Sequence, residues 1–196
     1  MLGWLSGLIL RLIGWRFVGE MPTIPKLVMI VSPHTSNWDF PVAILFKWHL
    51  NVRANYLGKH TLFRGPLGWF MRATGGVPVV RHEKRNLVEQ VAEIFASRRR
   101  FWLGIAPAGT RSLGTHWRSG FYYIALEAKV PVLPAALDFK RKELRVGTPI
   151  NLTGDPKDDM DRFRDFFDGA RGCRPELATP NCLRVEEDGE EPTLLS

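Results

Sequence analysis

From residue 27 onward the chain alternates short aliphatic, β-rich runs with segments of helical periodicity, and this restricts the fold more than any other feature. Such runs, bounded by Gly and Pro and spaced by helix-length patterns, are what βαβ units require. The expected architecture is one α/β domain, with a mixed, mostly parallel sheet flanked by helices. Residues 27–32 read as a buried strand. A helix is expected from near Trp38 to about Leu50, a strand over 53–57, a short helix over 66–73 and a strand over 76–80. Residues 84–97 read as a helix with Leu87, Val88, Val91 and Phe95 on one stripe, and 101–106 as a further strand. Ser119 is placed to cap a helix running to Ala128, and 130–137 returns as a strand. Two more β-like stretches, 138–142 and 144–146, precede a helix over 157–169.

With 196 residues, 45% of them hydrophobic, the chain can fill one substantial core. Cys173 and Cys182 are too few for a disulfide framework or a Cys-based metal cluster and read as free thiols of a reducing compartment. His34, His49, His60, His82 and His116 show no ligand spacing, so neither a metal nor a cofactor is expected. Charge is uneven: residues 47–118 carry thirteen basic and three acidic groups, whereas residues 119–196 carry eleven basic and fifteen acidic ones. The middle of the chain therefore suits an anionic partner, a phosphorylated small molecule or a membrane surface. Nucleic acid is not expected, because the cations are scattered among Gly-rich turns without a recognition motif.

The first 18 residues are strongly apolar but interrupted by Arg11 and Arg16, and the ten residues before the first charge fall short of the roughly 20 that a spanning helix needs. Residues 1–26 are expected to form a membrane-associating interfacial helix, with Trp4 and Trp15 as anchors and the two arginines reaching phosphates. A helix packed on its own domain is the competing expectation. A monotopic association with the cytoplasmic face of a membrane would follow from the first. Residues 27–174 then make the α/β domain, and the Pro- and Glu-rich residues 175–196 are expected to be a disordered acidic tail.

The chemistry concentrates in residues 32–41, where His34 and Asp39 sit five residues apart at a strand-to-helix junction. On a continuous helix they would lie about 140° apart and could not touch. With His34 in the loop and Asp39 in the first turn, the carboxylate can fold back onto the imidazole, fixing its tautomer and raising the basicity of its other nitrogen. Ser36 and Asp39 also satisfy a capping-box pattern, which offers a purely structural reading of Asp39.

Three further blocks follow in order: residues 58–68 leading into 75–81, with Lys59 and Arg81; residues 106–112, with Gly109, Thr110 and Arg111; and residues 130–134. With these, the chain resembles the glycerolipid acyltransferases typified by 1-acylglycerol-3-phosphate acyltransferase, over roughly residues 27–137. The resemblance implies transfer of a fatty acyl group from a coenzyme A or acyl-carrier-protein thioester, as co-substrate, to the hydroxyl of a lysophosphatidic acid-like acceptor. His34 would be the general base, with Asp39 holding it. Lys59, Arg81, Gly109, Thr110 and Arg111 would bind the acceptor phosphate, with Arg64 and His60 as lesser candidates. Ser36 suits a helix cap better than a nucleophile, so direct attack on the thioester is expected. One departure stands out: the resembled family has Glu before the Gly-Thr-Arg triplet, and this chain has Ala108. A catalytically weakened lipid-binding protein of the same fold, or an enzyme for another lysolipid acceptor, are the alternatives.

Overall fold

The computed structural model describes residues 2–79 and 87–188. Its strands are β1 (Arg16–Val18), β2 (Lys26–Ser32), β3 (Ala54–Lys59), β4 (Gly76–Val79), β5 (Phe101–Ile105), β6 (Val132–Asp138) and β7 (Glu143–Val146). The helices are α1 (Leu2–Leu12), α2 (Asp39–His49), α3 (Gly65–Ala73), α4 (Leu87–Ser97), α5 (Gly120–Glu127), α6 (Pro156–Phe167) and α7 (Val185–Asp188). Among the described residues the strands form one seven-stranded sheet, ordered β1-β7-β6-β2-β5-β3-β4. The run β6-β2-β5-β3-β4 is parallel, β7 is antiparallel to β6, and β1 pairs parallel with β7. The central strands β2 and β6 carry the longest aliphatic runs because helices cover both of their faces, and every residue of β6 is buried.

The expected α/β architecture is present, with three differences near its ends. The N-terminal helix stops at Leu12, and residues 16–18 form an edge strand instead of continuing the helix. Trp15 is not an interfacial anchor. It is buried, edge-on to Phe46 at 6.0 Å and to Phe139 at 4.9 Å. Arg16 is likewise committed, its guanidinium donating to Glu143 Oε2 at 2.9 and 3.1 Å across the β1/β7 edge. Both α1 and β1 are therefore built into the domain. α1 packs closely on α2 through glycines, since a Cβ on Gly3 would lie 2.8 Å from the Trp48 carbonyl oxygen and one on Gly7 2.5 Å from His49 Nδ1. The outer side of α1 remains open, with Leu2, Trp4, Leu5 and Leu12 exposed. Among the described residues no helix is long and apolar enough to cross a membrane.

Residues 139–142 are a turn where the strand over 138–142 is expected, and only Asp138 is strand, as the end of β6: its Oδ1 accepts the N–H groups of Lys140 and Arg141, which closes the β6–β7 connection. Ser119 precedes α5 without a side-chain cap, whereas Asp155 caps α6 by accepting from the N–H groups of Lys157 and Asp158. The beginning of the expected helix over 84–97 lies outside the described residues.

The third difference is the C-terminal stretch. Residues 175–188, expected to be disordered, pack against the domain, while residues 189–196 lie outside the described part. Leu183 is fully buried and bridges to Trp117, whose N–H donates to the Cys182 carbonyl at 2.8 Å. Glu186, one of the acidic residues that suggested a loose tail, pairs with Arg164 at 2.7 Å. Leu183 therefore closes the core around Trp117. Leu183→Ala is expected to lower the unfolding free energy by about 3 kcal/mol, the usual cost of such a cavity, as measured by urea denaturation. A loss below about 0.5 kcal/mol, ordinary for an exposed site, would show that the segment does not contribute to the core.

Candidate active site

The parallel strands end together on one edge of the sheet, which is where ligands bind in open α/β folds. β2 delivers the chain to that edge at Ser32, and the following loop turns into α2 at Asp39. Of the two expectations for Asp39, the imidazole contact is present, whereas α2 begins without a side-chain cap and the carboxylate serves the preceding loop instead. Its Oδ2 accepts the backbone N–H groups of Thr35 at 2.9 Å and Ser36 at 3.0 Å, and it lies 2.9 Å from His34 Nδ1. The carboxylate is 4% exposed and stands in the first turn of α2, where negative charge complements the helix dipole. Its other oxygen, Oδ1, is buried without a hydrogen-bond partner. Ser36 directs its hydroxyl to the Trp38 N–H at 3.2 Å. With Nδ1 donating to Asp39, His34 keeps Nε2 as its basic nitrogen, and its side chain is 23% exposed.

The His34 loop is held from behind by a distant part of the chain. Buried Thr35 accepts the Arg174 N–H at its Oγ1, 3.0 Å away. Gly172 packs against the same hydroxyl so closely that a Cβ there would lie 2.5 Å from it.

The cationic blocks occupy the neighbouring strand ends. Residues 106–112 follow β5, the strand beside β2, and Lys59 is the last residue of β3, one strand further along. Arg81 lies outside the described residues. Gly109, Thr110 and Arg111 are exposed, and Gly109 adopts φ +66°, a conformation that favours glycine. Among the described residues no hydrogen bond or ion pair joins this loop to the His34 loop. His60 and Arg64 follow β3, and buried His60 Nδ1 has no hydrogen-bond partner. Arg98–Arg100, at the start of β5, belong to the opposite edge, where Arg98 stacks on the Phe101 ring at 4.8 Å.

Arg118 is a cation that no spacing in the sequence singles out. Its N–H donates to the Pro107 carbonyl at 2.9 Å, closing the 107–118 loop, and its stem crosses Gly109 so tightly that a Cβ there would lie 2.6 Å from Arg118 Cδ and Nε. Arg118 thereby joins the Gly109–Arg111 turn. Only the density of basic residues in this region hinted at it. Ala108, beneath the turn, is 7% exposed and belongs to the main apolar core. Exposed apolar side chains flank this edge, with Trp38 and Phe40 at the start of α2, Trp69, at 74%, and Leu67 on α3, and Leu113 beyond Arg111.

No curated protein matches this chain. Among solved structures, the 1-acyl-sn-glycerophosphate (LPA) acyltransferase PlsC from Thermotoga maritima superposes with a TM-score of 0.54. The two share 18% sequence identity over 84% of this chain and 74% of that one, a likeness of fold. A sequence model of the Acyltransferase family matches residues 17–138, from within β1 to the end of β6. That span takes in His34, Asp39, Lys59 and the Gly109–Arg111 turn, and with more than half of its length matched the chain belongs to the Acyltransferase family.

Proposed function

We propose that this acyltransferase moves a fatty acyl group from a coenzyme A or acyl-carrier-protein thioester to the hydroxyl of a lysophosphatidic acid-like acceptor. The observation that carries the reading is the 2.9 Å contact of His34 Nδ1 with Asp39 Oδ2 at the ligand-binding edge of the sheet. The similarity of fold to an LPA acyltransferase supports the acceptor class. In this reading Nε2 of His34 takes the acceptor hydroxyl proton as the oxygen attacks the thioester carbon. The tetrahedral intermediate collapses with cleavage of the C–S bond, and the leaving thiolate recovers the proton from His34. Positioned base catalysis of this kind contributes ~10²–10⁴ in rate, and proximity contributes much of the rest. Arg111 and Arg118 grip the acceptor phosphate with the Gly109–Thr110 backbone, and Lys59 adds charge from the end of β3.

The apolar outer side of α1, with Trp4 75% exposed, together with the exposed residues of α3, suits a monotopic position on a membrane. Cys173 and Cys182, neither of them in a disulfide, suit the cytoplasmic face.

The decisive experiment is incubation of the protein with a labelled long-chain acyl thioester and lysophosphatidic acid in detergent. His34→Ala is expected to reduce acyl transfer by about 10³-fold or more without lowering the melting temperature, and retention of a tenth of the rate would sink the base assignment. Asp39→Asn keeps an acceptor oxygen for the Thr35 and Ser36 N–H groups while removing the charge beside His34. It should be nearly as damaging to kcat at little cost in stability; a parallel loss of both would return Asp39 to a structural role.

Because residues 16–18 are part of the sheet, membrane association is best tested by substitution. Trp4→Ser with Leu5→Ser is expected to reduce co-sedimentation with anionic phosphatidylglycerol vesicles at least about fivefold, since it withdraws two large apolar groups from the contact. Unchanged pelleting would place the contact elsewhere.

A catalytically weakened lipid-binding protein is the second reading, favoured by the buried methyl of Ala108. Ala108 sits in the apolar core next to Gly109, over which Arg118 folds, so a Glu introduced there has to reach out of the core past the turn before it could orient the Arg111 or Arg118 guanidinium for phosphate. A charge-assisted hydrogen bond contributes about 1.5–3 kcal/mol, so Ala108→Glu should raise acceptor-dependent turnover about tenfold while thioester hydrolysis by water changes less. If turnover stayed the same while Arg111→Ala still lowered it, Arg111 would already be held correctly without a carboxylate.

A further inference from the structure

We propose that the cleft lined by Phe139, Lys140, Arg171, Gly172, Cys173 and Pro175 receives a phosphate of the acyl donor, the phosphopantetheine phosphate that coenzyme A and a loaded carrier protein share. The proposal rests on the acyl-thioester chemistry above. Two substrates must converge on His34, and the strand order divides the space around it. β2 lies between β5 and β6, and the described residues assigned to the acceptor phosphate stand at the end of β3 or follow β5. Among the described residues none of them is on the β6 side. The cleft opens there directly, since Phe139 and Lys140 are the first residues beyond the end of β6.

Its far wall touches the catalytic loop. Gly172 lies against Pro33 and Thr35, the residues on either side of His34, with a virtual Cβ 3.2 Å from Pro33 Cβ and 2.5 Å from Thr35 Oγ1. The N–H of Arg174 donates to that hydroxyl, and the N–H of Phe139 donates to the Arg171 carbonyl at 2.8 Å, tying the two walls together.

The electrostatics fit the same ligand. Lys140 and Arg171 are exposed, and neither forms an ion pair among the described residues. The nearby carboxylate of Asp138 is already occupied, by the N–H groups of Lys140 and Arg141 and by the Arg141 guanidinium at 3.2 Å. Two unneutralised cations thus face a cleft of about 390 Å³ with Phe139 as an apolar wall. That size falls within the range of small-ligand sites, and the guanidinium fork of Arg171 suits phosphate oxygens.

The test is the double variant Lys140→Ala/Arg171→Ala, whose side chains are exposed, with thermal unfolding as the control for folding. With acyl-coenzyme A the donor KM is expected to rise about tenfold or more, from the loss of charge-assisted contacts, while the acceptor KM stays within about twofold. With the acyl thioester of N-acetylcysteamine, which carries no phosphate, this penalty is expected to vanish. A rise seen only with acyl-carrier protein identifies that donor as the source of the phosphate. No rise with either donor, or a rise in the acceptor KM instead, overturns the proposal. A readout independent of turnover uses Cys173, an exposed free thiol in the cleft wall. A thioether analogue of acyl-coenzyme A, or the loaded carrier protein in the other arm, should slow iodoacetamide labelling of Cys173, located by peptide mass. This protection should persist in His34→Ala and be lost in the double variant. Absence of protection by both donors in the parent protein overturns the proposal even if acyl transfer is confirmed. Protection without any acyl transfer leaves the donor site standing and removes the catalytic reading.

Discussion

One carboxylate oxygen organises the working end of this protein. Asp39 Oδ2 lies within hydrogen-bonding distance of three nitrogens, two of them backbone N–H groups of the loop that leaves β2 and the third the His34 ring. A loop of this kind would otherwise leave its N–H groups to water, and an isolated imidazole on it would sample several rotamers. Joining all three to the first residue of α2 means that loop closure and ring orientation are satisfied together. The orientation is therefore inherited from backbone structure, and the chemistry needs no separate scaffold. Positioning at this level is what base catalysis requires, since the reacting proton has to be met at hydrogen-bond distance.

The surroundings extend this economy. On one flank the Gly109–Arg111 turn is closed by Arg118, and on the other Thr35 is fastened to residues 172–174. The family match ends at residue 138, so the second clasp comes from the part of the chain beyond it. The C-terminal stretch adds a third support by covering Trp117, the residue just before Arg118. The cationic turn thus rests on a core assembled from segments more than sixty residues apart.

What the sequence revealed, and what it concealed, follows from the range of the contacts involved. The central strands β2 and β6 were readable because their burial demands long aliphatic runs, and His34 and Asp39 were readable because they are neighbours along the chain. Arg118 meets Gly109 only after the loop has closed. Strand β1 pairs with β7 across 127 residues, a partnership that no local pattern of three residues can announce. Trp15 looks like an interfacial residue in its own segment, and only Phe46 and Phe139, brought in by other elements, make it part of the core. The C-terminal stretch was misjudged for a related reason: its acidic and Pro-rich composition resembles that of a disordered chain, but Leu183 and Glu186 have partners, Trp117 and Arg164, that composition does not disclose.

The glycine-mediated contact between α1 and α2 has a mechanical consequence. Gly3 and Gly7 bring α1 against Trp48 and His49, at the far end of the helix that begins with Asp39. About 14 Å of α-helix separates that contact from the carboxylate, at 1.5 Å per residue. Helices crossing at such close range move as one lever. In the proposed reading, a surface that accepts the outer side of α1 would therefore also set the height and tilt of the imidazole above itself, and helix length and crossing geometry would fix the depth at which a lipid hydroxyl meets it.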